Sequence, residues 1–237
     1  MKLLVAISGY SGDQHQIENN WDCIAHHKAP VLILSPIDAP ITKLHDAKCF
    51  SVGKKGWIGP HTLQRHVRFL RKLMEEQADF YLFHDADSIC LSPELPKYLF
   101  NTPDVHWSNE VFDTNPSPSL LPKLAFQPPY FFSKGVLQSL IRSAATPAQS
   151  FTVLTAQGSM PLPTECIDHF EMQIVYSAGL RHSTFPDGAS FETMSEHGLN
   201  TMSEHVRALG KIFIHQVKTK PVLDRLTADR SIYLRSH

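Results

Sequence analysis

Three short runs without a polar break constrain this chain most: Leu3–Ser8 (LLVAIS), Val31–Ser35 (VLILS) and Phe80–Phe83 (FYLF). Runs of this length, rich in branched and aromatic residues, suit strands covered on both faces. Between the second and third, Leu63, Val67, Leu70 and Met74 recur at helical spacing, with Arg65, Arg68, Arg71 and Lys72 largely on other faces. Gly59-Pro60 stands where such a helix starts. Strand, helix, strand in this order predicts an α/β fold: a Rossmann-like, mostly parallel sheet with helices on both faces. The 237 residues fit one domain.

The second half is less regular. Residues 101–129 hold six prolines, which excludes a continuous helix and predicts loops. Tyr130–Phe132 reads as a strand, residues 133–143 as a helix, and a further helix begins at Asp168 with Glu171 completing a capping box. Residues 144–165 are again rich in Pro, Ser and Thr. TMSEH occurs at Thr193 and again at Thr201, a spacing that matches neither a solenoid nor a heptad. The last strand expected is Lys211–His215. Long connections of this kind carry function on a rigid frame.

Composition removes some classes. Net charge is -1, so no global field draws the chain to nucleic acid. No apolar run approaches the roughly 20 residues of a membrane span. The run after Met1-Lys2 is too short for a signal-peptide core. Cys23, Cys49, Cys90 and Cys166 lie far apart without a CxxC pair, as expected of reduced thiols in a cytoplasmic protein.

Chemistry is concentrated in FYLFHDADSICL, where Asp85 and Asp87 stand just beyond a buried strand. In extended backbone, residues i and i+2 share a side. Two carboxylates there, with Cα atoms roughly 6 to 7 Å apart, repel unless a cation joins them. Mg²⁺ and Mn²⁺ take such oxygen ligands together with substrate phosphates. The carboxyl rim of a parallel sheet is also where ligands bind. His215, ending an alternating strand, can complete an oxygen–nitrogen site that suits Mn²⁺. Ser8, Gly9 and Tyr10 end the first strand; glycine permits close approach and an aromatic ring can stack on a base. Asp38, after the second strand, can accept from a base or a ribose. Arg65 or Arg68 can reach phosphates. Gly53-Lys54-Lys55-Gly56 lacks the order of a phosphate loop and reads as a flexible connection whose lysines can meet phosphate.

Tyr81-Leu82-Phe83-His84-Asp85-Ala86-Asp87 resembles the hhhhDxD signature of GT-A fold glycosyltransferases, and the βαβ half upstream is similar to that family's. Phe213 to Pro221 resembles the HFxGxxKPW ending of the glycogenin-like retaining subgroup, without its glycine and tryptophan. The resemblance implies a single GT-A-like domain, with a nucleotide-binding half at 1–100 and an acceptor-binding half with the metal-ligand strand at 101–237. It implies a nucleoside-diphosphate sugar donor, a UDP-sugar being favoured, and transfer to a hydroxyl of a glycan or another acceptor. It implies Mn²⁺ or Mg²⁺ on Asp85, Asp87 and His215, and a diphosphate contact from Lys218 or Lys220. It also favours Arg68, which has the subgroup's offset from Asp85.

An inverting enzyme further needs a carboxylate base by the acceptor, for which Asp168 and Glu171 are the candidates. Two other readings stay open. A HAD-like phosphatase would use Asp85 as nucleophile with Mg²⁺. The basic helix from Arg65 to Lys72 also suits a polyanionic acceptor such as modified DNA.

Overall fold

The computed structural model describes residues 1–56, 60–90, 94–113, 124–145, 152–155, 158–161, 167–186, 188–190, 213–215 and 224. In chain order the elements are β1 (Leu3–Ser8), α1 (Gln14–His26), β2 (Val31–Ser35), β3 (Lys48–Ser51), α2 (Pro60–Glu75), β4 (Phe80–Asp85), β5 (Ile89–Cys90) and α3 (Lys97–Asn101). Then come β6 (Val105–Asp113), β7 (Leu124–Ser133), α4 (Lys134–Ala145), β8 (Thr152–Thr155), β9 (Gly158–Pro161), α5 (Ile167–Ser177), β10 (Arg181–Thr184), β11 (Gly188–Ser190) and β12 (Phe213–His215).

Seven strands form the main sheet in the order β10-β6-β7-β4-β1-β2-β3. Strand β7 is antiparallel to both β4 and β6, and the other pairs are parallel. The expected α/β class and mostly parallel sheet are observed. Alternate residues of the apolar runs feed two cores. Val5, Ile7 and Leu82 pack with Ile17, Trp21 and Ile24 of α1 and Leu99 of α3. Leu4, Ala6, Tyr81 and Phe83 pack with α2, α4 and α5 on the opposite face. Each large side chain so covered contributes roughly 1.5–3 kcal/mol.

The structure departs from the sequence reading in three places. Val105–Asp113 is a central strand, β6, and not a loop. Its apolar run is interrupted by His106, Ser108 and Asn109, all buried, so it carries no alternating signal. The prolines opposite it are accommodated by a register irregularity: Ser108 faces Tyr130, Glu110 faces Gln127, and Pro128-Pro129 fall between. Second, α2 buries a different stripe from the one expected. Thr62, Arg65, His66, Phe69, Leu70 and Leu73 are buried, while Leu63, Val67 and Met74 are only partly so. A helix entering a parallel sheet starts at the carboxyl rim, so its first turns face polar groups there and its last turns face the core. Third, α5 begins at Ile167, which places Asp168 inside the first turn rather than at the cap.

Strand β12 joins β11 and β5 in a small separate sheet, and β8 pairs with β9. No helix among the described residues is long and apolar enough to cross a membrane. The repeated TMSEH segments lie outside the described residues.

Candidate functional site

Strands β4, β1 and β2 are neighbours, and their carboxyl ends form one rim. Ser8 lies beside Asp85 on one side and Leu34 on the other. Beyond the strands, Gly9 N–H donates to Leu34 O at 3.0 Å and Ala86 N–H donates to Ser8 O at 2.8 Å. The rim is tightly packed: a Cβ on Gly9 would stand 3.0 Å from the Ala86 Cβ. The backbone does not stay extended through the carboxylate pair. Ser88 N–H donates to Asp85 O at 3.0 Å, closing a turn over Ala86 and Asp87. Asp85 and Asp87 nonetheless line the same cavity, of about 390 Å³, together with Ser8, Gly9 and Tyr10. That volume lies within the range of small-molecule sites.

Other groups lining this cavity were missed or set aside in the sequence. Asp13 stands immediately before α1, and its Oδ2 accepts from Tyr10 N–H at 3.1 Å. Burial pushes its carboxyl up, against the hydrogen bonds from Tyr10 and the charge of Lys55. The Asp13 charge in turn pushes the Tyr10 phenol up, with burial and Asp87 adding to it. Arg65 is buried and lines the cavity, whereas Arg68, the residue favoured by the family offset, is exposed on the outer face of α2. The helix stripe explains the correction, because Arg65 shares a face with Phe69 and Leu73. Burial lowers the Arg65 pKa, while Asp85 and Asp38 act to raise it. The guanidinium donates to the carbonyls of Lys54 and Gly56, the latter at 2.8 Å.

Asp38 is not on the cavity wall. Its Oδ1 accepts Lys55 N–H at 2.7 Å, so the carboxylate holds the connection between β3 and α2. Residue His215 is placed by register. Antiparallel pairing of Phe213 with Cys90 and Ile214 with Ile89 carries His215 to the level of Ser88, one residue from Asp87. Asp85 and Asp87 are two oxygen donors of the kind that Mg²⁺ or Mn²⁺ takes, and among the described residues no third His, Cys, Asp or Glu joins them in a metal-holding group. Lys218 and Lys220 lie outside the described residues.

Off the cavity wall, Glu171 is fully buried and accepts two hydrogen bonds, from His66 Nε2 at 2.7 Å and His106 Nε2 at 2.9 Å. Burial opposes ionisation, but the bonds from His106 and His66 and their charges outweigh it and bring the carboxyl down to about 2. The expected capping box is therefore replaced by a buried bridge from α5 to α2 and β6. Glu171 is placed as an anchor rather than as a base open to an acceptor. Asp168 sits one turn earlier on the same helix.

No family model matches the chain, and no curated protein matches it. Several solved structures are similar to it in outline. A glycosyltransferase involved in the glycosylation of the major capsid of PBCV-1 is 12% identical, with 99% of this chain and 100% of that chain covered and a TM-score of 0.46. The apo-form glycosyltransferase GlyE of Streptococcus pneumoniae TIGR4 is 13% identical, covering 100% of this chain and 63% of its own, with a TM-score of 0.48. A 4-diphosphocytidyl-2C-methyl-D-erythritol synthase from Anaerococcus prevotii DSM 20548 is 11% identical, covering 99% and 96%, with a TM-score of 0.49.

Proposed function

We propose that the protein is a metal-dependent glycosyltransferase that moves a sugar from a nucleoside-diphosphate sugar to an acceptor hydroxyl. One observation carries the reading. Ser8, Gly9 and Tyr10 after β1 and Asp85 and Asp87 after β4 converge on one cavity at the carboxyl rim, faced by Arg65 and Lys55.

In this reading Tyr10 offers its ring to the base, and the small Gly9 lets the nucleotide approach the backbone. Asp85 and Asp87, with His215 beside them, would hold Mn²⁺ or Mg²⁺ against the diphosphate. When bound, the ion supplies Lewis-acid stabilisation of charge on the leaving diphosphate, worth several kcal/mol. Arg65, fixed by two carbonyls, keeps a cation beside Asp85 and limits the excess of negative charge on the wall. During transfer the bond from the anomeric carbon to the diphosphate oxygen breaks, and the diphosphate leaves with the electron pair. A bond to the acceptor oxygen forms and the hydroxyl gives up its proton; in an inverting transfer that proton passes to a carboxylate base, for which Asp168 in the first turn of α5 is the candidate.

The test is turnover of UDP-glucose, UDP-galactose and UDP-N-acetylglucosamine with Mn²⁺, read as UDP release. The wild type should release UDP from at least one of them. Asp87→Asn should lose that activity while keeping its melting temperature. Release by the variant at the wild-type rate would remove the mechanism.

A further inference from the structure

We propose that Lys55 is a donor-binding residue, which yields the Tyr10 ring to the nucleotide base and carries its ammonium to the diphosphate. This deepens the nucleotide-sugar reading of the cavity and rests on it.

The backbone around Lys55 is pinned from several sides. Gly53 takes φ +71, a conformation few side chains tolerate, and a Cβ there would lie 3.0 Å from Arg65 Cβ. Gly53 O accepts Ile37 N–H at 2.8 Å. Lys54 O and Gly56 O both accept from Arg65, and Lys55 N–H is held by Asp38. The connection that reads as flexible from its glycines and lysines is thus a fixed mount, and the long Lys55 side chain is the part left to move.

That side chain points across the cavity. Its ammonium lies 3.5 Å from the centroid of the Tyr10 ring, well inside the roughly 6 Å reach of a cation–π contact. Lys55 is exposed, so the fold does not depend on the side chain. A base stacking on this face of Tyr10 needs the place the ammonium takes.

The charges on the wall say where the ammonium is needed next. The cavity is lined by the carboxylates of Asp13, Asp85 and Asp87 and by the cations of Lys55 and Arg65. A diphosphate entering it adds further negative charge. Arg65 is committed to two carbonyls, and moving it would release the mount. Lys55 exchanges one soft contact for a charge-assisted bond, as a flexible point charge can. One residue thus opposes a bare nucleoside and favours its diphosphate.

Calorimetry with uridine and with UDP, both in EDTA, tests this on the wild type, Lys55→Met and Lys55→Arg. The corresponding guanine, adenine and cytosine pairs are run alongside. For the base that binds, Lys55→Met should take the nucleoside about two- to fivefold more tightly, because the cation–π contact that competes with the base is gone. The ratio of diphosphate to nucleoside affinity should fall by about tenfold or more, the value of a lost hydrogen bond to a charged group. Lys55→Arg should keep most of that ratio. An unchanged ratio in Lys55→Met, or weaker nucleoside binding, would overturn the role of Lys55 and leave the nucleotide reading standing. Absence of binding of every nucleoside and diphosphate to the wild type, with and without Mn²⁺, would instead overturn the nucleotide reading, and this inference with it.

Discussion

Replacing Glu171 by glutamine should cost the protein about 3 kcal/mol at neutral pH. The same two hydrogen bonds give this figure in two ways. By hydrogen bonding, the carboxylate accepts from two histidines, at 2.7 and 2.9 Å, in a site closed to water. An amide keeps one acceptor. With its oxygen on His66, its NH2 group meets the His106 Nε2 donor, so one of the two bonds is lost. Loss of one bond to a charged group costs about 1.5–3 kcal/mol. By titration, a carboxyl brought from 4.5 to about 2 contributes roughly 3 kcal/mol above both values. The sign follows from the direction. The folded value is depressed, so the stabilisation is complete above the ordinary carboxylate range and disappears as the pH falls towards about 2. Thermal and urea unfolding of wild type and Glu171→Gln should therefore show a melting temperature lower by about 6–12 °C at neutral pH. The gap should close as the pH drops through about 4 towards 2. A gap of less than about 0.5 kcal/mol at neutral pH, or one that does not change with acid, would mean that the buried carboxylate does not hold α5 to α2 and β6.

Other expectations follow from the same geometry. Arg65→Ala should weaken UDP binding by about tenfold or more, because the mount of Lys55 and the buried cation go together, while Arg68→Ala should leave it unchanged; calorimetry on the pair decides between the two arginines. His182 hydrogen-bonds Ser108 Oγ at 2.9 Å and stacks on Phe126 with centroids 3.7 Å apart. Burial, assisted by His106, brings its pKa down to about 3, so its ring should stay neutral through mild acid in NMR titration, and its contribution to stability should be lost as the pH falls from 6.5 towards 3. A titration midpoint near 6.5 would contradict its placement.

How far the sequence reached depended on whether a pattern had one physical cause. The runs at Leu3, Val31 and Phe80 have one cause, burial on both faces, and each is a central strand of the sheet. The convergence of Asp85, Asp87, Ser8, Gly9 and Tyr10 on one cavity was readable because strand ends in a parallel sheet share a rim. Strand β6 was not, because a buried strand whose polar residues are satisfied by partners distant in sequence shows no apolar run. His106 is matched by Glu171, 65 residues away, and Ser108 by His182, 74 away. The subgroup's offset from Asp85 favours Arg68, whereas the buried stripe of α2 runs through Thr62, His66 and Phe69 and carries Arg65 to the cavity wall. Glu171 suggested a cap by its spacing from Asp168, and a cap is a local pattern. The two histidines it holds come from other elements, and no local pattern contains them.

In the proposed mechanism, Asp85 and Asp87 bind a nucleoside diphosphate through a divalent ion. Titrating UDP into the protein with Mn²⁺ and again with EDTA tests it directly, on wild type, Asp85→Asn and Asp87→Asn. Mn²⁺ should tighten UDP binding to the wild type by about tenfold or more and leave both variants at the EDTA value. Equal affinity with and without Mn²⁺ in the wild type, or full enhancement in either variant, would contradict it.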